Sequence, residues 1–387
     1  MTPLPSPPER IVIVGASQAG CGCAAELRRL GFEGEITVVG DESHLPYARP
    51  PLSKGVLTGV EAEESVLLPV PEGVSMLRGT AATGLDTSRR LVLLEDGGRL
   101  PYDGLVVATG ARARRLAPQG RHGEFTLRGL DDARALRERF ASVRDVAIAG
   151  GGFLGMEIAS AAASLGKNVT VVDQVAPLRG RLGPLLSALL LEAAADHGVQ
   201  VRVSGSGIGL GFSDGTADRL VADDGTPLVE ADIAVTAVGD VPNTQWLRGS
   251  GLPLDGGLVV DAECRAAPGI VGVGDVVARR NSDGRAVRTP HWSNALSQAQ
   301  VAAAALIGRE QEAPSRTSPH FFWTEAFGLK IRLSGRLPPI GEPRLIDGSI
   351  EQRRALLVWH DAGQGSGLGT AAAVNFPVSA PKLARLA

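Results

Sequence analysis

Twice along this chain an apolar strand runs into a glycine-rich turn, then an alanine-rich helix, then a second apolar strand ending near an acid. The first copy is "RIVIVGASQAGCGCAAELRRLGFEGEITVVGDE" (residues 10–42) and the second is "DVAIAGGGFLGMEIASAAASLGKNVTVVDQ" (residues 145–174). Each has the periodicity of a β-α-β unit around the G-x-G-x-x-G fingerprint of dinucleotide binding. The second fingerprint is complete, with Gly150, Gly152 and Gly155 enclosing Phe153 and Leu154. The first keeps Gly15, Ala19 and Gly20 but places Ser17 in the slot where a second glycine lets backbone approach a pyrophosphate. In both, amides at a helix N-terminus and the helix dipole suit phosphate charge. The closing acids, Asp41 and Asp173, stand 26 and 23 positions after the first glycine, placed to accept from a ribose hydroxyl. A carboxylate at 173 repels a 2′-phosphate and so favours NADH over NADPH, although Arg179 and Arg181 stand close enough to offset it. One fingerprint is a weak signal, because tight helix–strand packing also selects glycine. Two with strand, helix and acid are strong.

At 387 residues and 44% apolar, the chain has the size of two or three domains, and its 50 glycines fall at specific turns rather than in a low-complexity tract. The net charge of −3 gives no global pull toward nucleic acid or an anionic membrane. The opening "MTPLPSPPER" reads as a loose leader without a signal-peptide core, and no apolar run is long enough to span a bilayer, so the cytoplasm is expected. Cys21, Cys23 and Cys264 form no C-x-x-C pair and read as packing residues. The six histidines (44, 122, 197, 291, 320 and 360) show no metal-ligand spacing, and no metal is expected.

Three further stretches separate the two sites: "YDGLVVATGAR" with Thr109 and Gly110, "ADIAVTAVGDVPN" with Gly239, and "PGIVGVGDVV" with Gly274 and Asp275. Together with the fingerprints they resemble the two-dinucleotide flavoprotein family of pyridine nucleotide oxidoreductases, over nearly the whole chain. The resemblance implies an α/β fold with two Rossmann-like domains, one for FAD and one for NAD inserted into it, and a C-terminal α+β domain. The implied boundaries are 1–113 and 243–312 for FAD, 114–242 for NAD(P)H and 313–387 for the C-terminal module. Asp275 would complete the flavin site from a returning segment.

The subgroup is indicated by "YARPPLSKG" (residues 47–55), "HWSNALSQA" (291–299) and "PHFFWTEAFGLKIRLSG" (319–335). These resemble the ferredoxin reductases that serve cytochrome P450s and aromatic-ring dioxygenases, a group including putidaredoxin and rubredoxin reductases. Disulfide reductases of this fold carry a cysteine pair beside the flavin; here Ser53 and Lys54 occupy that region. The same substitution argues against a peroxidase or NADH oxidase. Pro50 and Pro51 make the loop too stiff for helix or strand, so that Lys54 is presented in one position. By resemblance Lys54 points toward the flavin, with Glu157 as its ion-pair partner on the nicotinamide-site helix. Arg49, Ala82, Arg128 and Trp292 would contact FAD, and Trp323 would stand where electrons leave.

The implied activity is hydride transfer from NADH to FAD, then single-electron transfer to an iron–sulfur ferredoxin serving a P450 or ring-hydroxylating oxygenase. A non-catalytic NADH-binding redox sensor resembling apoptosis-inducing factor is the alternative. Monomer and homodimer stay open. After a Pro/Ser-rich linker, "QEAPSRTSP", alternating Leu329, Ile331 and Leu333 predict a half-buried strand, followed by "RRALLVWH", a glycine-rich turn "GQGSGLG" and "GTAAAVN". Arginines at 279, 280, 285, 288, 332, 336, 344, 353 and 354 offer basic patches to an acidic partner.

Overall fold

The computed structural model describes residues 8–313, 321–360 and 369–387. The leader's first seven residues, most of the linker, His320 and nearly all of the glycine-rich turn lie outside them. The chain falls into two compact units, residues 1–48, 64–112 and 241–316 in one, and 49–63, 113–240 and 317–387 in the other.

The first unit is built on β1 (Arg10–Val14), α1 (Gln18–Arg29) and β2 (Glu35–Gly40). β1 lies between β2 and the strand Gly104–Val107, both parallel to it. The sheet continues through Val74–Arg78 on one side and Ile270–Gly272 and Arg265–Ala267 on the other. Ile11, Ile13, Val38 and Val106 are buried on one face, where Cys23, Ala24 and Leu27 of α1 and the alanines of the helix Trp292–Leu306 cover them. Val12, Val14 and Val107 fill the other face with Leu85, Val92 and Trp246. Burial on both faces explains the continuous apolar strands of the sequence.

In the second unit β3 (Asp145–Ala149), α2 (Phe153–Ser164) and β4 (Asn168–Asp173) repeat the arrangement. The sheet is parallel, ordered Gln200–Val203, β4, β3, Ile233–Thr236 and Glu124–Phe125. The same unit holds a five-stranded antiparallel sheet whose edge strand is β5 (Phe321–Ala326), followed in space by Leu329–Gly335, Thr370–Val374, Arg354–Trp359 and Arg344–Ser349. In Leu329–Gly335, Leu329, Ile331 and Leu333 are buried and Lys330 is exposed, as the alternation predicts. The helix Ala380–Leu386 closes the chain. Apart from its N-terminal turn, α2 is buried on most sides, which its Ala-rich sequence permits. No helix among the described residues is long and apolar enough to cross a membrane.

The stiff segment departs from expectation: Pro50–Ser53 is one turn of 3-10 helix, and Gly55–Thr58 is one α-helical turn. Proline at the first helical positions has no amide to satisfy and a φ already suited to the turn, so rigidity here takes helical form.

Candidate nucleotide and ion-pair site

Each fingerprint turn is held by the end of a neighbouring strand. Gly15 has φ +119°, and a Cβ there would lie 2.1 Å from the carbonyl oxygen of Ala108. Gly150 has φ +100°, and its Cβ would lie 2.5 Å from the oxygen of Ala237. The third glycine is required in both units, since a Cβ at Gly20 or Gly155 would stand 1.9 Å from the oxygen of Gly15 or Gly150. The Gly15 amide donates to Val39 O at 2.7 Å and the Gly150 amide to Val172 O at 2.8 Å. Neither helix N-terminus is capped by a side chain or carries an acid in its first turn. The space beside Gly152 is open to 4 Å, and the buried Oε1 of Gln18 has no donor. Uncapped helix N-termini and the open space beside Gly152 fit a bound dinucleotide phosphate at these turns.

Around the first turn, Gly274 (φ +81°) would place a Cβ 3.0 Å from that of Ala19, so the Gly274–Asp275 turn packs against the start of α1. Its amide donates to Gln298 Oε1 at 2.8 Å, and the Asp275 carbonyl accepts from Arg288 at 2.9 Å. Thr109 and Asn243 exchange hydrogen bonds of 2.8 and 2.9 Å, fixing the turn at Gly110. Gln298 and Asn243 had no role in the sequence reading. Asp41 is exposed just past β2, Trp292 is 38% exposed at its helix start, and Ala82 opens a strand of a separate three-stranded sheet. Arg49, Lys54 and Arg128 belong to the second unit, where Arg49 donates to Arg128 O at 2.7 Å.

In the second unit Asp173 faces its own turn. Its Oδ2 accepts from the Gly151 amide at 2.7 Å and its Oδ1 from Gln174 at 2.6 Å. Gly151, an unspecified position of the fingerprint, is therefore constrained: its Cβ would meet Pro177 at 2.6 Å and Asp173 Oδ2 at 3.2 Å. Gly239 (φ +100°) follows the strand Ile233–Thr236 with open space at its Cβ.

The same unit assembles the ion pair. Lys54 Nζ lies 2.6 Å from Glu157 Oε2, which also accepts from Ser53 Oγ at 2.6 Å. Glu157 Oε1 accepts from Thr324 Oγ1 of β5 at 2.9 Å. Lys54 also donates to Pro50 O at 3.1 Å and stands 5.0 Å above the Trp323 ring. Phe153 and Phe322 pack 4.2 Å apart between α2 and β5. Glu157 is 9% exposed, and these donors satisfy both of its oxygens. Ser53 and Thr324 were not read as its partners from sequence, since a hydroxyl within a strand or turn carries no pattern that names its acceptor.

The three cysteines are buried. Burial pushes the Cys21 thiol up to about 11 and raises those of Cys23 and Cys264 as well. All three are therefore thiols at neutral pH and poor nucleophiles. Among the described residues no group of three His, Cys, Asp or Glu could hold a metal ion.

Residues 9–304 match the family described as pyridine nucleotide-disulphide oxidoreductase. The 3-phenylpropionate/cinnamic acid dioxygenase ferredoxin–NAD(+) reductase component of Photorhabdus laumondii is 35% identical over 358 residues, covering 90% of this chain and 89% of that one. The benzene 1,2-dioxygenase system ferredoxin–NAD(+) reductase subunit of Pseudomonas putida is 36% identical over 356 residues, covering 90% and 85%. Among solved structures, the covalent putidaredoxin reductase–putidaredoxin complex superposes with TM-score 0.84 at 30% identity, over 95% of this chain and 90% of that one. FAD and NADH are the cofactors these relationships imply. With the fold, both fingerprint turns and the match over residues 9–304 in agreement, the chain belongs to the pyridine nucleotide-disulphide oxidoreductase family.

Proposed function

We propose that the protein is an NADH-dependent ferredoxin reductase, carrying electrons from NADH through FAD to an iron–sulfur ferredoxin of a P450 or ring-hydroxylating oxygenase system. The observation that carries this reading is the ion pair of Lys54 with Glu157, whose carboxylate is buried on the helix of the second fingerprint, in a chain whose cysteines are all buried. Relatives named as ferredoxin–NAD(+) reductase components support the acceptor class.

The first fingerprint, Asp41, Thr109, Gly110, Gly274 and Asp275 would hold FAD, with Ala82, Trp292, Arg49 and Arg128 contributing contacts. Gly150, Gly152, Phe153, Leu154, Gly155, Asp173 and Gly239 would hold NADH. When bound, the flavin accepts a hydride and releases electrons singly. Lys54 keeps a positive charge fixed by Glu157, and Trp323 stacks on that cation. No residue is needed as nucleophile or general base. The overall change is NADH plus two oxidised ferredoxins giving NAD+, a proton and two reduced ferredoxins. We assign the chain three domains with the boundaries given above and place the reaction in the cytoplasm.

Anaerobic stopped-flow mixing tests the proposal. NADH should bleach the flavin rapidly, and a two-iron ferredoxin should restore its colour. A bleached flavin that no such ferredoxin reoxidises would mean a sensor instead of a reductase.

A further inference from the structure

We propose that Thr324 is a positioning residue, acting through Glu157 to hold the carboxylate in the orientation that serves Lys54. This inference rests on the function proposed above. Glu157 has two oxygens and three donors: Lys54 and Ser53 share Oε2, while Thr324 alone among the donors observed occupies Oε1. A buried carboxylate with one oxygen left without a donor is an unsatisfied buried acceptor, and its side chain is free to turn.

The geometry of β5 makes the arrangement specific. Phe322 and Thr324 are two apart on one face of the strand, a spacing of about 7 Å. Phe153 and Glu157 are one turn apart on α2, a spacing of about 6 Å. The two elements therefore match in register, with Phe322 against Phe153 and Thr324 against Glu157. Trp323, between them, presents its ring to Lys54. Consecutive residues of one strand thus hold the two members of the ion pair, Trp323 the cation and Thr324 the anion. The charged group facing Glu157 among its observed partners is Lys54, and Ser53 and Thr324 are neutral. The antiparallel sheet, distant in sequence from both fingerprints, thereby fixes the charge pair that serves hydride transfer.

The test is a double-mutant cycle. Thr324→Val and Thr324→Ser are made in the natural chain and in Glu157→Leu, which leaves no acceptor for the hydroxyl, and two quantities are read on the flavin-loaded protein: the melting temperature and the rate constant for flavin reduction by NADH. Thr324→Val should slow reduction about tenfold and lower the melting temperature by about 3 °C, the consequence of removing one hydrogen bond to a charged group. Thr324→Ser, which keeps the hydroxyl, should restore both. In the Glu157→Leu background Thr324→Val should change the rate by less than about twofold, because the hydrogen bond it removes is already gone. A Thr324→Val protein indistinguishable from the natural one, or an effect undiminished beside Glu157→Leu, overturns the proposal. Should NADH fail to reduce the flavin of the natural protein, the reductase reading falls, while coupling in the melting temperature still decides whether Thr324 acts on Glu157.

Discussion

The two β-α-β units solve one packing problem in opposite ways. In the first, the residue after the leading glycine is Ala16, and its Cβ fills the space that a Cβ at Gly40 would need, 2.7 Å away. In the second, that turn position is Gly151, and the residue level with Gly40 is Asp173, whose carboxylate accepts from the Gly151 amide. The small residue has changed sides. As a result the acid of the first unit is displaced one position, to exposed Asp41, while that of the second ends its strand and is locked onto the turn. The two fingerprint units thus present their carboxylates differently.

The largest effect should come from Gly155→Ala. A methyl 1.9 Å from Gly150 O cannot be accommodated without moving the second turn, so NADH-driven reduction should fall at least about a hundredfold, equivalent to about 3 kcal/mol. Dithionite should still bleach the flavin of this variant. Equal loss of flavin and NADH binding would break the assignment of separate sites.

Next, Gly40→Asp should destabilise the first unit by about 1–3 kcal/mol through its clash with Ala16, as measured by chemical denaturation. Adding Ala16→Gly should recover most of that loss. Without recovery, the exchange of small residues would be coincidental.

Asp173→Ala should shift the NADPH-to-NADH ratio of kcat/KM toward NADPH by about tenfold, an unfavourable charge contact of about 1.4 kcal/mol removed. An unchanged ratio would mean that Asp173 serves only the backbone amides of Gly151 and Gln174. The smallest effect belongs to Ser17→Gly, which should change FAD affinity by less than about threefold. Its slot lies outside the crowded positions, and the matching Gly152 has open space.

Much of the architecture was legible because strand, turn and helix each leave a periodic trace, and the glycines that must be glycine are close in sequence. The Lys54–Glu157 pair came from family resemblance, and the ion pair is present in the structure. Residues acting across long sequence separations left no such trace. Thr324 is 167 residues from Glu157, and Gln298 is 24 residues from Gly274. The Pro50–Ser53 turn differs from the stiff loop the sequence suggests because the same fixed φ that stiffens the chain also suits the start of a helical turn.

The most direct test of a thiol-free electron path is an anaerobic NADH titration of the flavin-loaded protein. One NADH per flavin should complete the bleaching, since no dithiol stores a second pair. Uptake of two equivalents would contradict the account, showing that cysteines among Cys21, Cys23 and Cys264 form a second redox couple.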